Sequence, residues 1–168
     1  MNVKVRRAEG SDASEMTSIA FAAKRHWGYP EEWIELWSDE LTVDAVYAQD
    51  NRVFVAEDGA RMLGWCAVLE AEGEYWLDYC WVLPAAAGRG LGRTLVQRAF
   101  SIVAEQRART LKVIADPNAV GFYRKLGFRR VGFHPSVPKG RQLPVLEWRC
   151  PEETGAVTAC SAALELTN

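Results

Sequence analysis

Histidine, paired cysteine and long apolar runs are what this sequence lacks. Two histidines stand among 168 residues, and the four cysteines (Cys66, Cys80, Cys150 and Cys160) form no CxxC pair. No zinc site is therefore expected, and no metal is assigned. The cysteines read instead as reduced, mostly buried thiols of a cytoplasmic protein. No apolar run approaches the roughly 18 residues a membrane-spanning helix needs. Residues 1–7 lead into no apolar h-region, so they do not read as a signal peptide. Neither sign of charge dominates: 20 bases face 22 acids, for a net charge of −2. That balance points away from nucleic-acid and membrane-surface partners. Internal repeats, low-complexity segments and a dividing linker are also missing.

What is present is an ordinary globular composition, 49% hydrophobic and 25% charged, with an unusual seven tryptophans. Tryptophans in such number often line a pocket or an interface. Residues 1–150 read as one domain, and 151–168, without aromatics and with few charges, as a peripheral tail. Val3 to Arg7 alternates like a half-buried strand. Ser11-Asp12 starts a helix through Met16, Ile19, Ala20 and Ala23. The stretch His26-Trp27-Gly28-Tyr29-Pro30 stops it, and a second helix is expected through Trp33, Leu36 and Trp37. From Arg52 the period changes to two. Asp58-Gly59 and Glu72-Gly73 are turn signals between three strands, the last running from Tyr75 to Leu83, which implies an antiparallel meander.

Next comes a glycine-rich turn, Gly88-Arg89-Gly90-Leu91-Gly92-Arg93, opening a helix whose Leu91, Leu95, Ala99, Ile102 and Val103 form one stripe. Glycines let backbone N–H groups approach an anion, and the helix N-terminus adds about half a positive charge, so a pyrophosphate fits. A P-loop would end in Gly-Lys-Ser/Thr, which is absent. A dinucleotide fold would need G-x-G-x-x-G after the first strand of a parallel sheet; here the spacing is G-x-G-x-G after a meander. An acyl-CoA loop and a plain tight turn both remain. Thr110 to Ala115 then reads as a strand, and Asp116-Pro117 as the start of a short helix ending near Gly127. Phe128 to Phe133 and Leu143 to Trp148 read as two last strands, separated by a turn-rich loop at Pro135 to Arg141.

Val82-Leu83-Pro84, the glycine turn, and Asn118-Ala119-Val120-Gly121-Phe122-Tyr123 with Leu126-Gly127-Phe128 occur in an order and spacing that resemble the GNAT superfamily of acetyl-CoA-dependent N-acetyltransferases. The resemblance runs from Arg52 to Gly132, and Arg6 to Tyr47 is similar to that family's N-terminal strand and paired helices. One branch of the superfamily carries a similar His-Trp-Gly-Tyr-Pro segment. The resemblance implies an α/β fold: a mixed, mostly antiparallel sheet with helices on both faces. It implies acetyl-CoA as co-substrate. Cys80, Trp81 and Val82 would lie along the pantetheine arm, and the amides of Gly88, Arg89, Gly90, Leu91, Gly92 and Arg93 would hold the pyrophosphate. Tyr123 falls where the family has its general acid; read from the residues alone, it is a buried aromatic on a short helix. The family's habit also makes a homodimer an expectation. Two positions depart from the pattern. Ala87 replaces a Gln or Arg before the loop, and Asp116 stands where the cofactor-contacting Asn usually lies, leaving Asn118 as the candidate for that contact.

The implied reaction is acetyl transfer to a primary amine of a small molecule or peptide. A base or anchor for the amine is then needed. Asp78 is expected on one face with Cys80 and Val82 by period two, with Glu74 as the alternate. Val82 N–H is a candidate oxyanion donor. His26, Trp27 and Tyr29 could wall the acceptor pocket, or only pack a loop. A catalytically inactive acyl-CoA-binding module is the competing reading.

Overall fold

The structure is a computed structural model that describes residues 2–151. Cys160 and all of the tail but Pro151 lie outside the described residues. One seven-stranded sheet carries the fold, in the order β1-β2-β3-β4-β5-β7-β6. The strands are β1 (Val3–Arg7), β2 (Arg52–Asp58), β3 (Arg61–Ala71), β4 (Glu74–Val82), β5 (Thr110–Ile114), β6 (Arg129–Ser136) and β7 (Arg141–Arg149). Every neighbouring pair is antiparallel except β4 with β5. The meander arises where the turn dipeptides predicted it. The last two strands run further into the Pro135–Arg141 loop than their sequence suggests. Pro135 is tolerated there because β6 is an edge strand, where a missing N–H breaks no inner ladder.

Helices cover both faces. On one lie α1 (Ala13–His26), α2 (Glu31–Leu36), α3 (Ser38–Leu41) and α4 (Ala45–Asp50); on the other lie α5 (Leu91–Glu105) and α6 (Val120–Lys125). β2 shows why the sheet needs two covers. Val53 and Val55 face α1 to α4, while Phe54 and Ala56 face α5, and all four are buried. The α5 stripe behaves as read: Leu91, Leu95, Ala99, Ile102 and Val103 are all buried, and Val96 is buried beside them. The expected second helix is instead two short ones that break at Trp37. Trp37 is 2% exposed, whereas Leu36, expected on the inner stripe, is 52% exposed.

Two features shape the centre of the sheet. β4 and β5 share one register pair, Trp76 with Lys112. Beyond it the strands part, which leaves the β4 edge from Leu77 to Val82 facing a gap. β4 also carries a bulge: Ala67 pairs with Tyr79 and Val68 with Leu77, so Asp78 is the extra residue.

Close approach of β3 to this edge depends on Gly64. A Cβ there would stand 2.6 Å from the Trp81 carbonyl oxygen and 3.2 Å from Val82 Cα. Backbone cannot swing aside as a side chain can. Gly64→Ala is expected to cost about 1–3 kcal/mol of stability, the usual cost of overpacking. Chemical denaturation would read this as a lower midpoint; an unchanged midpoint would mean that the strands separate without cost.

Candidate active site

The gap between β4 and β5 opens into a cavity of about 490 Å³. Its walls come from β4, the glycine turn, the start of α5, the β5–α6 connection, α6 and the end of α1. Cys80, Trp81, Val82, Gly88, Gly90, Leu91, Gly92, Arg93, Asn118 and Tyr123 all line it, as do His26, Trp27 and Asp78. Tyr29 and Arg89 do not belong to the lining.

The glycine turn forms because its backbone must pass twice through the left-handed region, at Gly88 (φ 77°) and Gly90 (φ 85°). Gly90 is the N-cap of α5 and has no side chain to cap it. The first-turn N–H groups of a 15-residue helix are thus left to a guest, and an anion is the guest they favour. No atom outside the adjoining backbone lies within 4 Å of the Cβ position at either Gly88 or Gly90.

Tyr123 sits at the floor of the cleft, 5% exposed. Its ring packs edge-on against Phe122 and Phe128, which fixes its direction. The hydroxyl is hydrogen-bonded to the Cys80 thiol. Burial, with the nearby sulfurs of Cys80 and Cys66, holds its pKa well above that of free tyrosine. The phenol is therefore protonated throughout the neutral range. Burial also pushes the Cys80 thiol up to about 12, although the Tyr123 hydrogen bond opposes the rise.

Asp78 requires a correction. Period two would set it on one face with Cys80 and Val82, but the bulge shifts the phase. Cys80 and Val82 pack against the α5 cluster. Asp78 instead accepts a hydrogen bond from the hydroxyl of Tyr47, which packs against the opposite cluster. The carboxylate opens to the cleft, yet the protein around it pushes its pKa above the ordinary range, with the Tyr47 hydrogen bond alone opposing. Glu74, the alternate, ion-pairs with Lys112 and is not a cleft residue.

Tyr29 is engaged elsewhere. Its hydroxyl donates to the Asp116 carboxylate at 3.0 Å. It accepts from Asn118 Nδ2 at 3.1 Å and from Arg141 Nη2 at 3.2 Å. Its ring meets Trp33 and Trp37. Asp116 is the hub of this cluster, with Lys24 Nζ at 2.6 Å and Arg141 Nη2 at 3.7 Å. The Lys24 ammonium also lies 4.4 Å from the centre of the Trp37 ring. Burial disfavours both charges, but Lys24 and the hydrogen bonds from Asn118 and Tyr29 still hold the Asp116 pKa below that of an ordinary carboxylate. Burial lowers the Lys24 pKa despite its partner. Asn118 gives its amide N–H groups to Tyr29 and Asp116, leaving only its carbonyl oxygen for a guest. Lys24 and Arg141 do not stand out as partners of Asp116 in the sequence. One signal existed: Lys24 lies four residues after Ala20 and so falls on the buried stripe of α1.

Among the described residues, Trp81 Nε1 is the one buried side-chain polar atom without a partner. Cys66 and Cys80 are free thiols. Among these residues no group of three His, Cys, Asp or Glu side chains converges, and no helix is long and apolar enough to cross a membrane.

Residues 49–130 match a family model described as an acetyltransferase (GNAT) domain. The N-acetyltransferase PaiA from Thermoplasma acidophilum, solved in complex with coenzyme A, superposes with a TM-score of 0.73 at 18% identity, over 89% of this chain and 100% of that one. A GCN5-related N-acetyltransferase structure from Rhodopseudomonas palustris gives 0.77 at 21% identity, over 89% and 97%. A GNAT family acetyltransferase from Brucella melitensis, in complex with acetyl-CoA, gives 0.58 at 27% identity, over 84% and 95%. No curated protein matches the sequence.

Proposed function

This chain belongs to the GNAT acetyltransferases, and from that membership we propose that it moves an acetyl group from acetyl-CoA to a primary amine by direct attack. The observation that carries the reading is the parting of β4 from β5 beside Tyr123, with the glycine turn at the cleft wall. The open β4 edge at Cys80 to Val82 suits the amide groups of a pantetheine arm. The turn from Gly88 to Arg93 suits the pyrophosphate, and the Asn118 carbonyl oxygen suits a pantetheine N–H. Residues 1–150 act as one acetyltransferase domain in this reading. His26 and Trp27 wall the acceptor side, and Tyr29 supports them through Asp116.

The amine arrives charged, since an alkylammonium has a pKa near about 10. Asp78 attracts it and takes its proton, directly or through water. The freed lone pair attacks the thioester carbonyl carbon. Val82 N–H is the candidate donor to the oxyanion. The C–S bond then breaks, Tyr123 gives its proton to the departing sulfur, and the extra proton of the new amide nitrogen passes to water as Tyr123 is reprotonated from solvent.

The test is free-thiol release from acetyl-CoA across a panel of amines. Release that depends on an amine supports the transfer. Acetyl-CoA binding with no release from any amine favours the inactive binding module. Asp78→Asn adds a pH test. A base must be ionised, so the rate should rise with pH through the raised pKa of Asp78. In the Asn variant that limb should disappear from the kcat/KM profile; an unmoved limb would restrict Asp78 to structure.

A further inference from the structure

The cleft is lined by charged groups of both signs. Its basic side chains are Arg93 in the first turn of α5, Lys125 in the last turn of α6 and His26 in the last turn of α1. Its carboxylates are Asp78, at the β4 bulge, and Asp116, which follows β5. These two differ in kind. Asp116 is neutralised by Lys24 and Arg141, and its oxygens are already taken. Among the described residues, Asp78 has Tyr47 as its hydrogen-bond partner and stands in no ion pair. The bulge sets Asp78 out of the β4 ladder, and Asp78 lines the cleft together with the aromatic residues Trp27 and Tyr79.

We propose that the cleft selects amines that bear no carboxylate beside the reacting nitrogen, and so discriminates against free α-amino acids. The inference rests on the acetyl-transfer reading above and names the acceptor class for it. An alkyl- or arylalkylammonium brings one positive charge to Asp78 and an apolar body to the aromatic wall, where cation–π attraction adds to the ion pair. An α-amino acid brings the same ammonium with a carboxylate on the adjoining carbon. That second charge would lie about 5 Å from Asp78, where two like charges repel in a partly desolvated site. The His26 imidazole apart, the cations on this side that could answer it, Lys24 and Arg141, are already committed to Asp116. Both are about nine-tenths buried and absent from the cleft lining.

The experiment uses matched pairs that differ by the carboxylate: phenethylamine with phenylalanine, butylamine with norvaline, and isobutylamine with valine. Phenylalanine methyl ester serves as the neutral control. With acetyl-CoA saturating, kcat/KM for each amine should exceed that of its amino acid by at least about tenfold, and the ester should side with the amine. In Asp78→Asn the ratio of ester to acid should contract. Equal rates within the pairs, or amino acids preferred, would overturn the inference and leave acetyl transfer intact. A ratio unchanged in Asp78→Asn would overturn Asp78 as its origin. No acetylation of any amine would overturn the transfer reading itself, and this inference with it.

Discussion

Tyr123→Phe should lower kcat by about 10²- to 10³-fold while leaving acetyl-CoA affinity within about threefold, the signature of a lost proton donor. A tyrosine whose pKa is pushed well above its usual value looks at first like a poor acid. Acid strength here is relative, however, and the site supplies its own measure of the other partner. Cys80 places a sulfur next to the same hydroxyl, and burial raises that thiol to about 12. A coenzyme A thiolate leaving in the same surroundings meets the same loss of solvation. It becomes a strong base at the moment it forms. In the proposed transfer the proton would therefore pass from a desolvated phenol to a desolvated thiolate, and the two penalties largely cancel. Phenylalanine keeps the ring contacts with Phe122 and Phe128, so the fold should survive. Stopped-flow thiol release and calorimetric titration of acetyl-CoA would separate kcat from affinity. A kcat within threefold of the parent would remove Tyr123 from the chemistry.

The parts of this molecule legible in its sequence are those set by neighbours along the chain. The α5 stripe and the glycine turn are local patterns, and so are the two hairpin dipeptides. The phase of β4 was not legible. Both faces of that strand are covered, so its residues carry no alternation of polar and apolar to follow, and the extra residue at Asp78 leaves no mark. The Asp116 cluster was hidden for a different reason. Lys24 is 92 residues away in sequence, Tyr29 is 87, and Arg141 arrives from the far hairpin. Only the folded chain brings them together.

That cluster also explains how this chain accommodates an Asp where the family pattern has an Asn. A carboxylate buried without a cation would be costly. Lys24 and Arg141 provide the compensation, from α1 and β7 on either side of the cleft. Asp116 thereby ties the element that carries Trp27 to the turn that leads into α6 and Tyr123. Trp27 and Tyr123 thus stand on elements that share one anchor, an ion pair with its hydrogen bonds.

Gly90→Asp should raise the acetyl-CoA dissociation constant at least about 100-fold, with little change in stability. The backbone of Gly90 is left-handed, which costs a side chain roughly 1 kcal/mol, though Asp is among the residues that tolerate it. The Cβ would point into open space, so no clash adds to that cost. Asp is also a favoured N-cap, and its carboxylate can take the N–H groups that α5 now leaves without a cap. The gain offsets the strain. The same bonds are the reason cofactor binding should fail. The new carboxylate occupies the anion cradle from within, and it repels the pyrophosphate at about 5 Å. Gly90→Ala separates the two effects, because it keeps the strain and omits the charge; its affinity should fall less than tenfold. Calorimetry of both variants, with thermal melts beside it, decides the matter. If Asp and Ala weaken binding equally, the turn acts through its backbone shape alone. If neither weakens it, the pyrophosphate lies elsewhere, and the open first turn of α5 has some other purpose.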